Sequence, residues 1–69
     1  MELEKINEIN EKIVDIVTIL NTYSMLLKGM SLGEIVYTDG FAFTLSVNIK
    51  YVTKELVKIQ DSLEENKKA

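Results

Sequence analysis

The sequence predicts an α+β fold in which a long helix, a β-hairpin and a shorter helix (αββα) follow one another in a chain that assembles as an oligomer. Three patterns predict it: a helical repeat of apolar residues at the start, an alternating repeat in the middle and a second helical repeat at the end. With only 69 residues, the chain is expected to form a single domain over residues 1–69.

The first helix is expected over about residues 2–28. Apolar residues recur there at alternating spacings of three and four, and Lys28 followed by Gly29 is typical of a helix end. The apolar band widens after Ile13 until little of the helix is polar, and such a helix must be covered on more than one side. We therefore predict a homo-oligomer, with a candidate self-association surface made of Ile6, Ile9, Ile13, Ile16, Val17, Leu20, Tyr23 and Leu27.

The β-hairpin is expected over about residues 34–49. Apolar and polar residues alternate from Phe41 to Tyr51, which is the period of a half-buried strand. Thr38, Asp39 and Gly40 would form the loop that joins this strand to a preceding one ending at Tyr37.

The same residues allow an alternative, an all-α helical hairpin that forms a four-helix bundle as a dimer. In that case one helix would run from about Phe41 to the end of the chain, since apolar residues also recur at helical spacing, at Leu45, Ile49, Val52, Leu56, Ile59 and Leu63. The strand is favoured because residues 41–49 are poor in strong helix formers and rich in β-branched and aromatic residues. Both alternatives predict a helix over about residues 51–66.

The composition excludes several classes of protein. The chain has eight Lys against eleven Asp and Glu, a net charge of −3, and it lacks His, Cys and Arg. We therefore expect no metal, no cofactor and no catalytic residue, and we do not expect an enzyme. A nucleic-acid partner is disfavoured because the chain has no basic footprint. The most apolar stretch is interrupted by Asp15 and several Thr, Asn and Ser residues, so we expect no membrane span and a cytoplasmic protein.

A second candidate surface is acidic. One side of the first helix carries acids at spacings of four, three and four, and these are Glu4, Glu8, Glu11 and Asp15. Such a stripe is either a solvated outer face or a docking surface for another protein. The favoured function is therefore a small acidic protein-interaction module, an adaptor or inhibitor, on a homo-oligomeric scaffold.

The alternative function is a structural assembly unit or a holdase. The order of helix, hairpin and helix is similar in topology to the β-type prefoldin subunit, in which two coiled-coil helices flank a β-hairpin. That resemblance, which is one of pattern alone, implies a chaperone that holds clients at apolar helix ends. Nucleic-acid binding is the least favoured class. The most basic part of the chain, from residue 50 onward, carries five Lys against four acids, which is a net charge of only +1.

Overall fold

The chain folds as two antiparallel α-helices joined by a short loop. The structure, a computed structural model, describes the backbone of residues 2–68 and the side chains of residues 2–67. Helix α1 spans Leu3–Ser31 and helix α2 spans Asp39–Lys68, with no strand in this described part of the chain. The predicted domain also includes Met1 and Ala69, which lie outside the described residues.

The α+β prediction, with its β-hairpin over residues 34–49, is wrong, and the alternative all-α helical hairpin fits the structure. Thr38 caps α2 rather than opening a β-turn: its Oγ1 accepts a hydrogen bond from the backbone N–H of Phe41 at 3.1 Å. Asp39 in the first turn suits the positive end of the helix dipole. The β-hairpin on which the resemblance to prefoldin depends does not form in the described residues.

Residues 41–49 become helical because packing overrides their low intrinsic helix propensity. Phe41, Ala42, Leu45 and Asn48 are each partly buried, at the spacing of one helix face. A two-stranded hairpin is marginally stable by itself, whereas a helix satisfies its own backbone hydrogen bonds and needs only one apolar side covered.

Helix α1 continues past the predicted end near Lys28 and stops at Ser31. The backbone N–H of Glu34 donates to the Gly29 carbonyl at 2.9 Å, and that of Gly33 donates to the Met30 carbonyl at 3.1 Å. This pattern is a Schellman motif, which requires a left-handed residue, and Gly33 supplies it with φ 76°. Gly29 is buried, and a Cβ at that position would lie 2.6 Å from Cδ1 of Ile35, so the glycine lets Ile35 close over the helix end.

The core of the hairpin is thin. Ile16, Val52 and Ile59 are the buried apolar residues, with Ile9 and Ile19 packed against them. No described side chain is less than 2% exposed. The radius of gyration is 15.8 Å, compared with about 11 Å for a compact domain of this length, and the molecule measures 51 × 18 × 14 Å.

Candidate assembly surface

The two helices meet along a seam that includes polar residues. On α2 the seam consists of two sets of residues, and within each set the members are seven residues apart. One set is apolar (Leu45, Val52, Ile59) and the other is polar (Asn48, Glu55, Ser62), and all six residues are buried or half-buried. On α1 the facing residues are Ile9, Lys12, Ile16, Ile19, Tyr23, Leu26 and Met30.

The first polar contact across the seam joins Asn48 to Tyr23. Nδ2 of Asn48 donates to the Tyr23 hydroxyl at 2.8 Å and to the Thr44 carbonyl at 2.9 Å. The Tyr23 ring also packs against Phe41, with ring centroids 5.7 Å apart. A half-buried tyrosine needs a partner for its hydroxyl, and α2 of the same chain supplies it.

The second polar contact surrounds Glu55, which is only 6% exposed. Nζ of Lys12 lies 2.8 Å from Oε2 of Glu55, and Nζ of Lys58 lies 3.3 Å from Oε1. The contact with Lys12 lowers the pKa of Glu55; burial opposes this effect, and Lys58 reinforces it. The same contact raises the pKa of Lys12.

One side of the hairpin is apolar. Its residues recur at intervals of seven and have an exposed fraction between 40% and 49%, and all of them except Ile6 directly follow a residue of the seam. Successive residues are about 100° apart around a helix. In a pair of antiparallel helices, a step of one residue from the seam leads to the same side of the pair on both helices, so the rows on α1 and α2 lie side by side. We call this surface the apolar face, and it consists of Ile6, Ile13, Leu20 and Leu27 on α1 and Ile49, Leu56 and Leu63 on α2.

Few charges lie next to the apolar face. The next positions around each helix are uncharged at Asn10, Val17 and Ser24 on α1 and at Ser46, Thr53 and Gln60 on α2, and Lys67 follows in the same row near the end of α2. The groove on the opposite side of the hairpin is lined mainly by charged residues, among them Glu8, Lys12, Lys58, Asp61 and Glu65. The apolar face and this charged groove therefore lie on opposite sides of the hairpin, and other exposed apolar residues, such as Val14 and Phe43, lie outside both.

The structure divides the predicted self-association residues into two groups. Ile9, Ile16 and Tyr23 contact α2 of the same chain. The other five, Ile6, Ile13, Val17, Leu20 and Leu27, are exposed on or beside the apolar face. The predicted surface did not include Ile49, Leu56 and Leu63, although their spacing of seven was visible in the sequence.

All four residues of the acidic stripe are exposed. Glu4, Glu8, Glu11 and Asp15 lie on the side of α1 that is turned away from the apolar face. No group of three or more His, Cys, Asp or Glu residues within the described part of the chain could hold a metal ion.

By length and composition, α1 could also cross a membrane. An 18-residue window within Leu3–Ser31 has a mean hydropathy of 1.2, and 11% of that window is buried in the hairpin. A helix that is buried in an assembly of helices has the same composition, so this property is weak evidence for a membrane span.

Comparison of the chain with models of known protein families, with curated proteins and with solved structures finds no match. A function for this chain therefore has to be argued from its own fold and surfaces.

Proposed function

We propose that this chain is a structural assembly unit, a helical hairpin that pairs with a second copy through the apolar face to form a four-helix bundle. The observation that supports this most directly is that both helices present half-exposed Ile and Leu residues, without a charge among them, on the same side. Apolar residues at the seam positions plus one flanking position are typical of helices in bundles.

The exposed area supports a second copy as the partner. The hairpin exposes 5542 Å², whereas a compact monomer of 7.9 kDa exposes about 4,400 Å². The excess of about 1,100 Å² exceeds the roughly 800 Å² that each partner buries in a standard interface. A second hairpin offers the same uncharged surface, and a symmetric dimer buries both copies at once.

Two adjacent residues of equal exposure provide a matched test. Leu56 lies on the apolar face and Val57 lies beside it, outside that face, and each is 48% exposed. In size exclusion with light scattering, the wild type should have the mass of a dimer. Leu56→Lys should shift the mass towards that of a monomer because it places a charge in the interface, while Val57→Lys should keep the wild-type mass.

Two results would contradict the proposal. One is a wild type that stays monomeric up to the highest concentration reached, and the other is an equal mass for the two lysine variants. A holdase would instead keep the apolar face open to clients, and it would suppress the aggregation of unrelated unfolded proteins. We expect no such suppression by the assembled wild type.

The acidic protein-interaction module is a second proposal, and it concerns the other side of the molecule. Pairing through the apolar face leaves Glu4, Glu8, Glu11 and Asp15 exposed on α1. An adaptor would use this surface to bind a basic partner, and the binding would weaken with salt because exposed charges are screened.

A further inference from the structure

We infer that the ion pair between Lys12 and Glu55 determines which side of α2 faces α1, and thereby keeps the apolar face available for a second copy. The inference rests on the proposed assembly for its functional meaning. The choice between two sides of α2 is, however, a property of the single chain and can be measured separately.

Helix α2 has two possible seams. Both contain Leu45, Val52 and Ile59, and they differ in the second set of residues. In the observed seam that set is Asn48, Glu55 and Ser62, whereas in the competing seam it would be Ile49, Leu56 and Leu63. A turn of α2 by about 50° around its own axis, half the angle between successive residues, exchanges the two sets.

Burial of apolar surface alone favours the competing seam. It would place one isoleucine and two leucines against α1 and return an amide, a carboxylate and a hydroxyl to water. The observed seam does the opposite, and it leaves Ile49, Leu56 and Leu63 between 43% and 49% exposed. Some contact specific to the observed seam must therefore offset this difference.

The contacts of Glu55 have that specificity. Its side chain is 8% exposed and has an ammonium group near each oxygen, at 2.8 Å from Lys12 and 3.3 Å from Lys58. Lys58 lies on α2 and turns with Glu55, so of the two partners of Glu55 only Lys12 on α1 distinguishes the two seams. The competing seam would separate Lys12 from Glu55. Polar residues at seam positions of paired helices are known to select register and the number of partners, even where they add little stability.

The contact between Asn48 and Tyr23 reports which seam is present. The Asn48 amide donates to the Tyr23 hydroxyl at 2.8 Å in the observed seam, and it would turn away in the competing one. The nuclear Overhauser effect between the Asn48 side-chain amide and the Tyr23 ring therefore measures the seam in any oligomeric state.

The test compares the wild type with the apolar double variant Lys12→Leu, Glu55→Leu and with the reversed pair Lys12→Glu, Glu55→Lys. The wild type and the reversed pair should show one pair of Asn48 side-chain amide signals that contacts Tyr23, and one mass in light scattering. The apolar variant should remain folded by circular dichroism, since replacing a buried ion pair with apolar residues is often neutral or stabilising. It should nevertheless lose at least half of the contact and show a mixture of masses.

A single pair of Asn48 side-chain amide signals with the full wild-type contact in the apolar variant would overturn the inference. The variant Glu55→Gln, which removes the charge but keeps the shape, is measured in parallel in case the apolar variant aggregates. A full wild-type contact in Glu55→Gln would also overturn the inference. A monomeric wild type combined with the expected loss of contact would overturn the proposed assembly alone.

Discussion

Two glycines near the loop have opposite conformational requirements. Gly33 is the one glycine among the described residues with a positive φ, and it ends α1. Gly40 lies in the first turn of α2, where a Cβ would meet nothing closer than Oγ1 of Thr38 at 3.9 Å. Asp39 and Gly40, which resemble part of a β-turn in the sequence, thus have a helical backbone, and the position of Gly40 accepts an ordinary side chain.

Alanine at each glycine should change stability in opposite directions. Gly33→Ala should lower the free energy of unfolding by about 1–2 kcal/mol because the left-handed conformation strains a Cβ. Gly40→Ala should raise it by about 0.5–1 kcal/mol because alanine loses less backbone entropy in a helix. Urea denaturation at one fixed protein concentration measures both values. A loss of stability in Gly40→Ala would indicate a turn at that position and contradict the start of α2.

At the scale of the helices, the sequence predicts α1 and the second half of α2 but not the first half of α2. Residues 41–51 fit a period of two and a helical period equally well, and β-propensity favours the wrong one. The N-cap at Thr38 was the local signal for a helix. The side of α2 that faces α1 could not be predicted, because it depends on contacts such as Lys12 with Glu55, which are far apart in the sequence.

The ion pair that joins the helices should make stability depend on pH at both extremes. The pKa of Glu55 is lowered from its ordinary value of 4.5, so its contribution is present above that value and is lost as the pH falls through the lower pKa of the folded state. The pKa of Lys12 is raised from 10.5, so its contribution is present below that value and is lost as the pH rises through the higher pKa of the folded state.

Urea denaturation of the wild type and of Glu55→Gln across the pH range isolates this effect from that of the other acids. The stability advantage of the wild type should be constant near neutral pH and disappear on the acid side. An advantage that persists unchanged at the lowest pH at which both proteins fold would show that the Glu55 charge contributes nothing.

At the scale of the whole molecule, the unusual property of the hairpin is the large area that it exposes for its mass. Three apolar residues are buried in the described part of the chain. This thin core leaves a single hairpin with little to offset its conformational entropy, since domains of this size are marginal even when compact. In the proposed assembly, most of the stability therefore comes from contacts between chains.

Thermal unfolding of the wild type should accordingly depend on protein concentration. For a dimer that unfolds to separate chains, each tenfold increase in concentration adds about 1.4 kcal/mol to the apparent stability, and the melting temperature rises. Calorimetry over a hundredfold range of concentration measures the effect, with Leu56→Lys as the control that should not respond. A wild-type melting temperature that is independent of concentration would contradict a dimer in which folding and association are linked.

The short loop from Leu32 to Thr38 has a consequence for the order of events after synthesis. Chains dominated by local helical contacts fold in microseconds to milliseconds, whereas subunit docking is slower and depends on concentration. On the proposed assembly, each new chain therefore exists first as a separate chain that exchanges between hairpin and unfolded forms, with its leucines in water. The length of that interval is set by how often copies meet, so a cell that makes this chain slowly holds it longest in its unpaired form.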